Sequence, residues 1–272
     1  MRLRRLIGDF IRERNPLDIE QIVIPIKGIS SGFTSLRIAH LSDVHIPKSA
    51  FSPVEIANAL KKHKPDVIFL TGDMVDGRLK FDGPAIALFI SILQKIAPIY
   101  AVSGNHEQNN CEYCNIWKTM LKLRGVYFID DKVAYFEKDG TTFVIVGIGD
   151  IDKEEIWKFD SSFISEIEVA ADECYLLLHH KPNIWRSYYP TDVSVPDVVF
   201  SGHAHGGQVV IPYLNRGLLA PAQGLFPKYT SGLYQFSDGS YEVVSRGLAS
   251  STRPLRVNNR PHIPMVELVP CD

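Results

Sequence analysis

Six short apolar runs, LRIAHL, VIFLTG, IYAVSG, TFVIVG, YLLLHH and VVFSGH, follow one another between Leu36 and His203, with helix-like stretches among them. Alternation of this kind restricts the chain to an α/β or α+β layered domain. The run ends restrict it further. Asp43-Val44-His45 follows the first, Gly72-Asp73-Met74-Val75-Asp76 the second and Gly104-Asn105-His106-Glu107 the third, while His179-His180 and His203-Ala204-His205 close the last two. One Asp or His after a strand is an ordinary turn residue. Five such endings in order argue for one sheet edge where oxygen and imidazole groups converge.

The intervening segments read as helices and turns. In SPVEIANALKKHKP, Ser52 caps a helix, Pro53 suits its first turn, Glu55 completes a capping box, and Lys64-Pro65 close it. PAIALFISILQKIA is apolar almost all round and reads as a buried helix, and NIWKTMLKLRG as a third that stops at Gly125. Asp139-Gly140 is a hairpin turn signal. After Gln208, prolines and glycines break the chain into short pieces ending in GLYQF, YEVVSRG and PMVELV, which are expected to finish a second sheet.

No linker splits the chain, so residues 35–272 read as a single domain and residues 1–34 as a basic amphipathic helix with a lead-in strand. Leu3, Leu6, Ile7, Phe10 and Ile11 share one face of that helix, with Arg2, Arg4, Arg5, Arg12 and Arg14 around it. Residues 1–14 suit peripheral contact with a membrane interface, or a helix docked on its own domain. Gly8-Asp9 and the later arginines interrupt the apolar region of an export signal, and no window spans a bilayer. The expected location is cytoplasmic, including the inner face of the cell membrane. A net charge of -2 does not favour nucleic acid as a partner. The four cysteines form no paired zinc-ribbon clusters; Cys111 and Cys114 read as thiols one helical turn apart ahead of a redox pair or half a zinc site.

Carboxylate, imidazole and amide donors without thiolate suit manganese, iron or zinc. The donors are too many for one tetrahedral ion, so two divalent ions are expected, sharing a carboxylate and a hydroxide that attacks phosphorus.

The five blocks, complete and in this order from Asp43 to Gln208, resemble the calcineurin-like metallophosphoesterases. Gly-His-Ala-His-Gly-Gly-Gln, KYTSGLY from Lys228, VSRGL from Val244 and PLRVNNRP from Pro254 are similar to a bacterial branch of phosphodiesterases and UDP-2,3-diacylglucosamine pyrophosphatase-like enzymes. The resemblance implies a four-layer α/β/β/α sandwich with two mixed β-sheets flanked by helices, the metallo-dependent phosphatase fold. It implies that Asp43, His45, Asp73 and His205 bind one ion and that Asp73, Asn105, His180 and His203 bind the other. Extended backbone would point Asp43 and His45 the same way, and likewise His203 and His205. The same alternation turns His179 away from His180, to pack or hydrogen-bond on the opposite face.

His106, with Asn105, is implied to approach the scissile phosphate. Asp76 would pair with His106 and favour its imidazolium, a catalytic duo, unless Asp76 is only a turn cap. Arg256 is the one arginine of the terminal segment singled out for substrate phosphate. Two departures stand out: Gly77-Arg78 replaces the Arg-Gly of the protein phosphatases, and Pro261-His262 replaces the branch's usual Pro-Glu. The leading expectation is hydrolysis of a phosphodiester or pyrophosphate, in a nucleotide-linked or lipid-linked substrate. A nuclease, a phosphomonoesterase and a non-catalytic metal-binding module remain open.

Overall fold

The computed structural model describes residues 16–29, 32–108, 111–150, 160, 162–182, 184–187, 189–191, 193–211, 216–249 and 256–271, with the backbone alone for 111–114 and 216. The basic segment 1–14 lies outside these residues, as do the thiols of Cys111 and Cys114. Among the described residues no helix is long and apolar enough to cross a membrane.

Two six-stranded sheets stack on each other. The first holds β1 (Asp18–Lys27), β2 (Leu36–Leu41), β3 (Val67–Thr71), β4 (Ile99–Val102), β5 (Tyr127–Phe128) and β16 (His262–Cys271), in the order β1-β16-β2-β3-β4-β5. The second holds β6 (Lys132–Lys138), β7 (Thr141–Ile148), β8 (Cys174–His179), β9 (Val198–Ser201), β14 (Gly232–Gln235) and β15 (Tyr241–Val244), in the order β14-β15-β9-β8-β7-β6. Two small ladders lie between β9 and β14 in the chain: β10 (Val210–Ile211) with β11 (Arg216–Gly217), and β12 (Leu219–Ala220) with β13 (Gly224–Leu225). Both large sheets are mixed: β2 to β5 run parallel, as do β7, β8, β9 and β15, while β16 against β2, β6 against β7 and β14 against β15 are antiparallel.

Sequence explains this layering. Strands buried on both faces must be apolar throughout, and VIFLT, IYAV and CYLLLH are buried at every position. The edge strand β1 alternates instead, with Ile22, Ile24 and Ile26 inward. Between the sheets pack Ile38, Phe69, Tyr100 and Val102 from one and Phe143, Leu176, Phe200 and Val243 from the other. The outer face of the first sheet is covered by α1 (Pro53–His63), α2 (Gly83–Leu93) and α4 (Cys111–Leu123) through Leu60, Phe89, Ile90 and Trp117, and α3 (Asn105–Gln108) is a single turn. On the far face of the second sheet lie α5 (Ser162–Ser165) and the 3-10 turn Ile184–Ser187, which bring Ile164 and Trp185 onto Val146 and Leu177.

Local signals behave as their chemistry requires. Ser52 accepts from the Glu55 amide and the Glu55 carboxylate from the Ser52 amide, the complete capping box of α1. Asp139 and Gly140 have φ of 53° and 76°, the paired left-handed geometry that joins β6 to β7. Two expectations are corrected. α2 is not buried all round, because Leu88 is 55 % exposed: the helix lies on the outside of the sheet and offers it one face. The C-terminal segment does not all finish the second sheet. β14 and β15 do, but β16 returns to the first, antiparallel to β2 and parallel to β1 over ten residues.

Candidate metal centre

The parallel strands β2, β3 and β4 of one sheet and β8 and β9 of the other release their chains at a common edge. Immediately beyond, the backbone leaves the extended form. Asp43, His45, Asp73, His203 and His205 have φ between 46° and 61°. Left-handed backbone at residues other than glycine costs of order 1–3 kcal/mol each and persists where the surroundings impose it. The expectation that extended chain aims each Asp-x-His or His-x-His pair is therefore corrected: tight left-handed turns do so. Close approach makes this possible. A methyl on Gly104 would stand 2.5 Å from the Asp73 amide nitrogen, and one on Gly202 2.5 Å from Asp43 Oδ2.

Three donor groups result, Asp43–His45–His205, His45–Asp73–His106 and Asp73–His180–His203, each with atoms within 4.8 Å of one another. Asp43 Oδ1 is 3.2 Å from His205 Nε2 and 3.9 Å from His45 Nε2. Asp73 Oδ2 lies 3.7 Å from His45 Nε2, 3.3 Å from His180 Nε2 and 4.0 Å from His106 Nε2. His203 Nδ1 is 3.2 Å from His180 Nε2. One carboxylate oxygen, Asp73 Oδ2, thus faces both outer groups.

The donors fit cations. Asp43 Oδ1, both ring nitrogens of His45 and Asn105 Oδ1 are buried with no hydrogen-bond partner among the described residues. Such orphans are costly unless something pairs with them. Charge points the same way. Burial favours neutral Asp73, but His180, His45 and His106 outweigh it and hold its carboxyl well below the ordinary range. Burial opposes a charge on His180, yet the Asp73, Asp43 and Asp150 carboxylates lift it to about 10. Burial lowers His45 to about 4 and His203 to about 3, so both stay neutral and able to ligate.

A second ring of contacts orients the donors. His180 Nδ1 meets Thr71 O at 2.7 Å and His205 Nδ1 meets Ala249 O at 3.2 Å, and donation there turns each Nε2 inward. Asp43 Oδ2 accepts from Ser42 Oγ at 2.7 Å and the His203 amide at 3.0 Å, reserving Oδ1 for the centre. Glu107 accepts three amides, from Asp73 and Gly104 at 2.8 Å on Oε2 and from Val75 at 3.0 Å on Oε1. It joins the loops after β3 and β4.

His106 stands at the rim of the centre, beside Asp76. Asp76 Oδ1 is 3.4 Å from His106 Nδ1, while the Gly77 amide donates to that same nitrogen at 3.1 Å. A ring nitrogen that accepts carries no proton, so the proton belongs on Nε2. Asp76 is also engaged by Lys48 and Arg78. Burial raises its carboxyl, but hydrogen bonds from those two side chains outweigh this and hold it far below the usual range. Arg256 is held by carbonyls of the protein itself. Its buried guanidinium donates through Nη2 to the carbonyls of Arg246, Gly247 and Ala249, and burial lowers it to about 10. It braces the loop that carries the carbonyl partner of His205.

His179 is buried, its Nδ1 3.4 Å from Ile148 O, as alternation requires. His40 pairs with Thr71 Oγ1 in the core, His63 with Gln21 near the surface, and His262 with Glu20, all structural places. Sequence reading missed Asp150 and Lys181, a buried pair at 2.8 Å whose carboxylate adds to the charge that keeps His180 protonated. The signal was present: TFVIVG-IGD is a sixth apolar run that ends in an acid.

The chain is similar to several known proteins. The family described as calcineurin-like phosphoesterase matches residues 36–207. The chain is 29 % identical over 232 residues to the uncharacterized metallophosphoesterase YkoQ of Bacillus subtilis, covering 84 % of this chain and 82 % of that protein. It is 29 % identical over 238 residues to the phosphodiesterase YaeI of Escherichia coli, covering 86 % and 82 %. The NAD nucleotidase NadN of Haemophilus influenzae shares the fold, with a TM-score of 0.52 at 19 % identity over 80 % of this chain and 46 % of that one.

Proposed function

This chain belongs to the calcineurin-like phosphoesterase family and is a metal-dependent phosphoric ester hydrolase, and on that premise we propose that it cleaves phosphodiester or pyrophosphate bonds at a centre of two divalent ions. Asp43, His45, Asp73 and His205 would hold one ion, and Asp73, Asn105, His180 and His203 the other. The observation that carries this reading is Asp73 Oδ2, which faces His45 on one side and His180 on the other at 3.7 and 3.3 Å. Manganese, iron and zinc all suit the donors.

When bound, the two ions would activate a water for in-line attack on phosphorus and offset charge on the phosphoryl oxygens. The protein's own groups do the rest. His106 takes the Gly77 amide on Nδ1 and so presents an Nε2 proton toward the centre, where it can donate to the departing oxygen. Asp76, anchored by Lys48 and Arg78, fixes the loop that carries that amide. Glu107 keeps Asp73 and Asn105 in register.

A diester or pyrophosphate substrate is supported by the relation to an enzyme named phosphodiesterase. The basic amphipathic pattern of residues 1–14 supports a lipid-linked substrate met at the inner face of the membrane. The test is hydrolysis of bis-p-nitrophenyl phosphate beside the monoester by metal-stripped protein reloaded with manganese, iron or zinc. Metal-dependent cleavage that favours the diester supports the reading. Preference for the monoester would overturn the substrate assignment, and silence with both ions bound would remove the enzyme reading of this centre.

A further inference from the structure

The small hairpin of β12 and β13 stands against the candidate metal centre. The Leu218 amide donates to Gly207 O at 3.1 Å, and a methyl on Gly207 would lie 2.3 Å from Gly217 Cα. The hairpin therefore touches the turn His205–Gly207, which carries a proposed ligand. Leu219 pairs with Leu225 across the ladder, which sets both side chains on one face. They are 44 % and 68 % exposed, and the adjoining Phe226 is 57 % exposed. Ala220 is turned inward instead, into a buried cluster with Tyr229 and Val244.

These three large apolar side chains are held in water by a fixed scaffold. Gln223, at the hairpin tip, donates to Tyr229 O at 2.7 Å and accepts from the Tyr229 amide at 3.0 Å. The Tyr229 ring in turn packs against Tyr234. Ala222 and Phe226 have φ of 58° and 54°, backbone that is unfavourable for residues other than glycine. The fold strains Phe226 to present it outward and buries little of it in return.

Charge along this segment has one sign. No acid occurs between Asp197 and Asp238, whereas Arg216 and Lys228 flank the uncharged run 217–227. Residues 1–14, basic and amphipathic in sequence, precede β1 at the same edge of the molecule. Asp18 opens β1 and its carboxylate accepts from Arg246 Nη2, while a methyl on the next residue, Gly247, would lie 2.5 Å from Asp43 Cβ. An apolar tip between cations, beside a tethered basic segment, suits the interface of an anionic bilayer. A second copy of the chain, packed about a two-fold axis, would set these cations against one another.

We infer that Leu219, Leu225 and Phe226 insert into the headgroup–acyl boundary of an anionic membrane and turn the metal-centre edge toward it. This rests on the lipid-linked reading above and names the surface that meets the lipid. A centre held at the bilayer face reaches a headgroup phosphate without drawing the acyl chains out of the membrane.

The experiment is sedimentation of the full chain with sucrose-loaded vesicles of phosphatidylcholine and phosphatidylglycerol, or of phosphatidylcholine alone. Leu219→Ser, Leu225→Ser and Phe226→Asn are each expected to weaken binding to the anionic vesicles about fivefold, and the triple variant about 100-fold. Lys228→Gln should weaken it about fivefold. Leu88→Ser, at an exposed position on α2, should leave binding unchanged. Asparagine tolerates left-handed backbone, so Phe226→Asn should not lower the melting temperature. If the triple variant does not fold, the single variants carry the test. Wild-type protein that fails to bind, or variants that bind like the wild type, would overturn the proposal. A wild-type dimer that the triple variant dissolves, with no vesicle binding, would overturn it in favour of a second copy. Hydrolysis of bis-p-nitrophenyl phosphate, a soluble substrate, separates the two readings. Turnover with vesicle binding that ignores the hairpin would refute the hairpin alone, and hairpin-dependent binding without turnover would refute the enzyme reading alone.

Discussion

Replacing Glu107 tests whether the two loops that carry Asp73 and Asn105 are held by a single carboxylate. Glu107 is fully buried and accepts three backbone N–H groups, two on Oε2 and one on Oε1. In Glu107→Ala all three donors lose their acceptor in a site closed to water, at about 1–3 kcal/mol each. Relief offsets part of that loss, since burial and the neighbouring Asp73 charge raise the Glu107 carboxyl to about 7 and make its charged form unfavourable. A net loss of roughly 3–6 kcal/mol is expected for Glu107→Ala. In Glu107→Gln the amide oxygen can keep both bonds made by Oε2, while its NH2 meets the Val75 N–H, donor against donor. That variant should lose only about 1–2 kcal/mol. Urea unfolding of the metal-free proteins at neutral pH reads these values, and elemental analysis of reloaded samples should show metal loss in Glu107→Ala first. Equal stability of the two variants, or a loss under about 1 kcal/mol in Glu107→Ala, would refute the idea that this carboxylate ties the loops together.

Three further outcomes follow from the same geometry. His106→Ala should retain its metal yet lose about 10²–10⁴-fold in kcat toward bis-p-nitrophenyl phosphate, and unchanged turnover would remove His106 from the chemistry. Arg256→Met should destabilise the fold by about 2–4 kcal/mol through the carbonyls it abandons; a raised KM with unchanged stability would instead restore Arg256 to the substrate. At pH 8, metal uptake should release about one proton per chain, from His180, whose charged form the carboxylates Asp73, Asp43 and Asp150 hold up to about 10 against burial. His45 and His203 are already neutral there and add none, so affinity should climb with pH until it passes the His180 value. Calorimetry in buffers of different ionisation heat measures the release, and none at all would contradict this charge arrangement.

The groups that gather at the centre were legible because each closes an apolar strand, and parallel strands deliver their ends to one edge whatever the details of packing. Capping at Ser52 and the Asp139-Gly140 turn were equally local and equally readable. What escaped depends on contacts distant in sequence. PMVELV carries no mark that sends it to the first sheet, a choice made by pairing with β1 and β2 more than 200 residues earlier. The left-handed turns at Asp43, His45, Asp73, His203 and His205 contradict the extended geometry that alternate spacing suggests, and only the surrounding hydrogen bonds and glycines impose them. Arg256 reads as a phosphate ligand because arginine so often is one. The carbonyls that satisfy it belong to an irregular loop with no signature of its own. Asp150 was passed over although it ends an apolar run, since its partner Lys181 comes into view only when β7 and β8 lie side by side.

A centre of two ions depends on Asp73 serving both halves. Metal-stripped protein titrated with manganese, with bound ions counted per chain, tests this in one step when Asp73→Asn is run beside the wild type. Two ions in the wild type and loss of both, or of all tight binding, in Asp73→Asn are the expected result. A single ion in the wild type, or two ions still held tightly by Asp73→Asn, would contradict it.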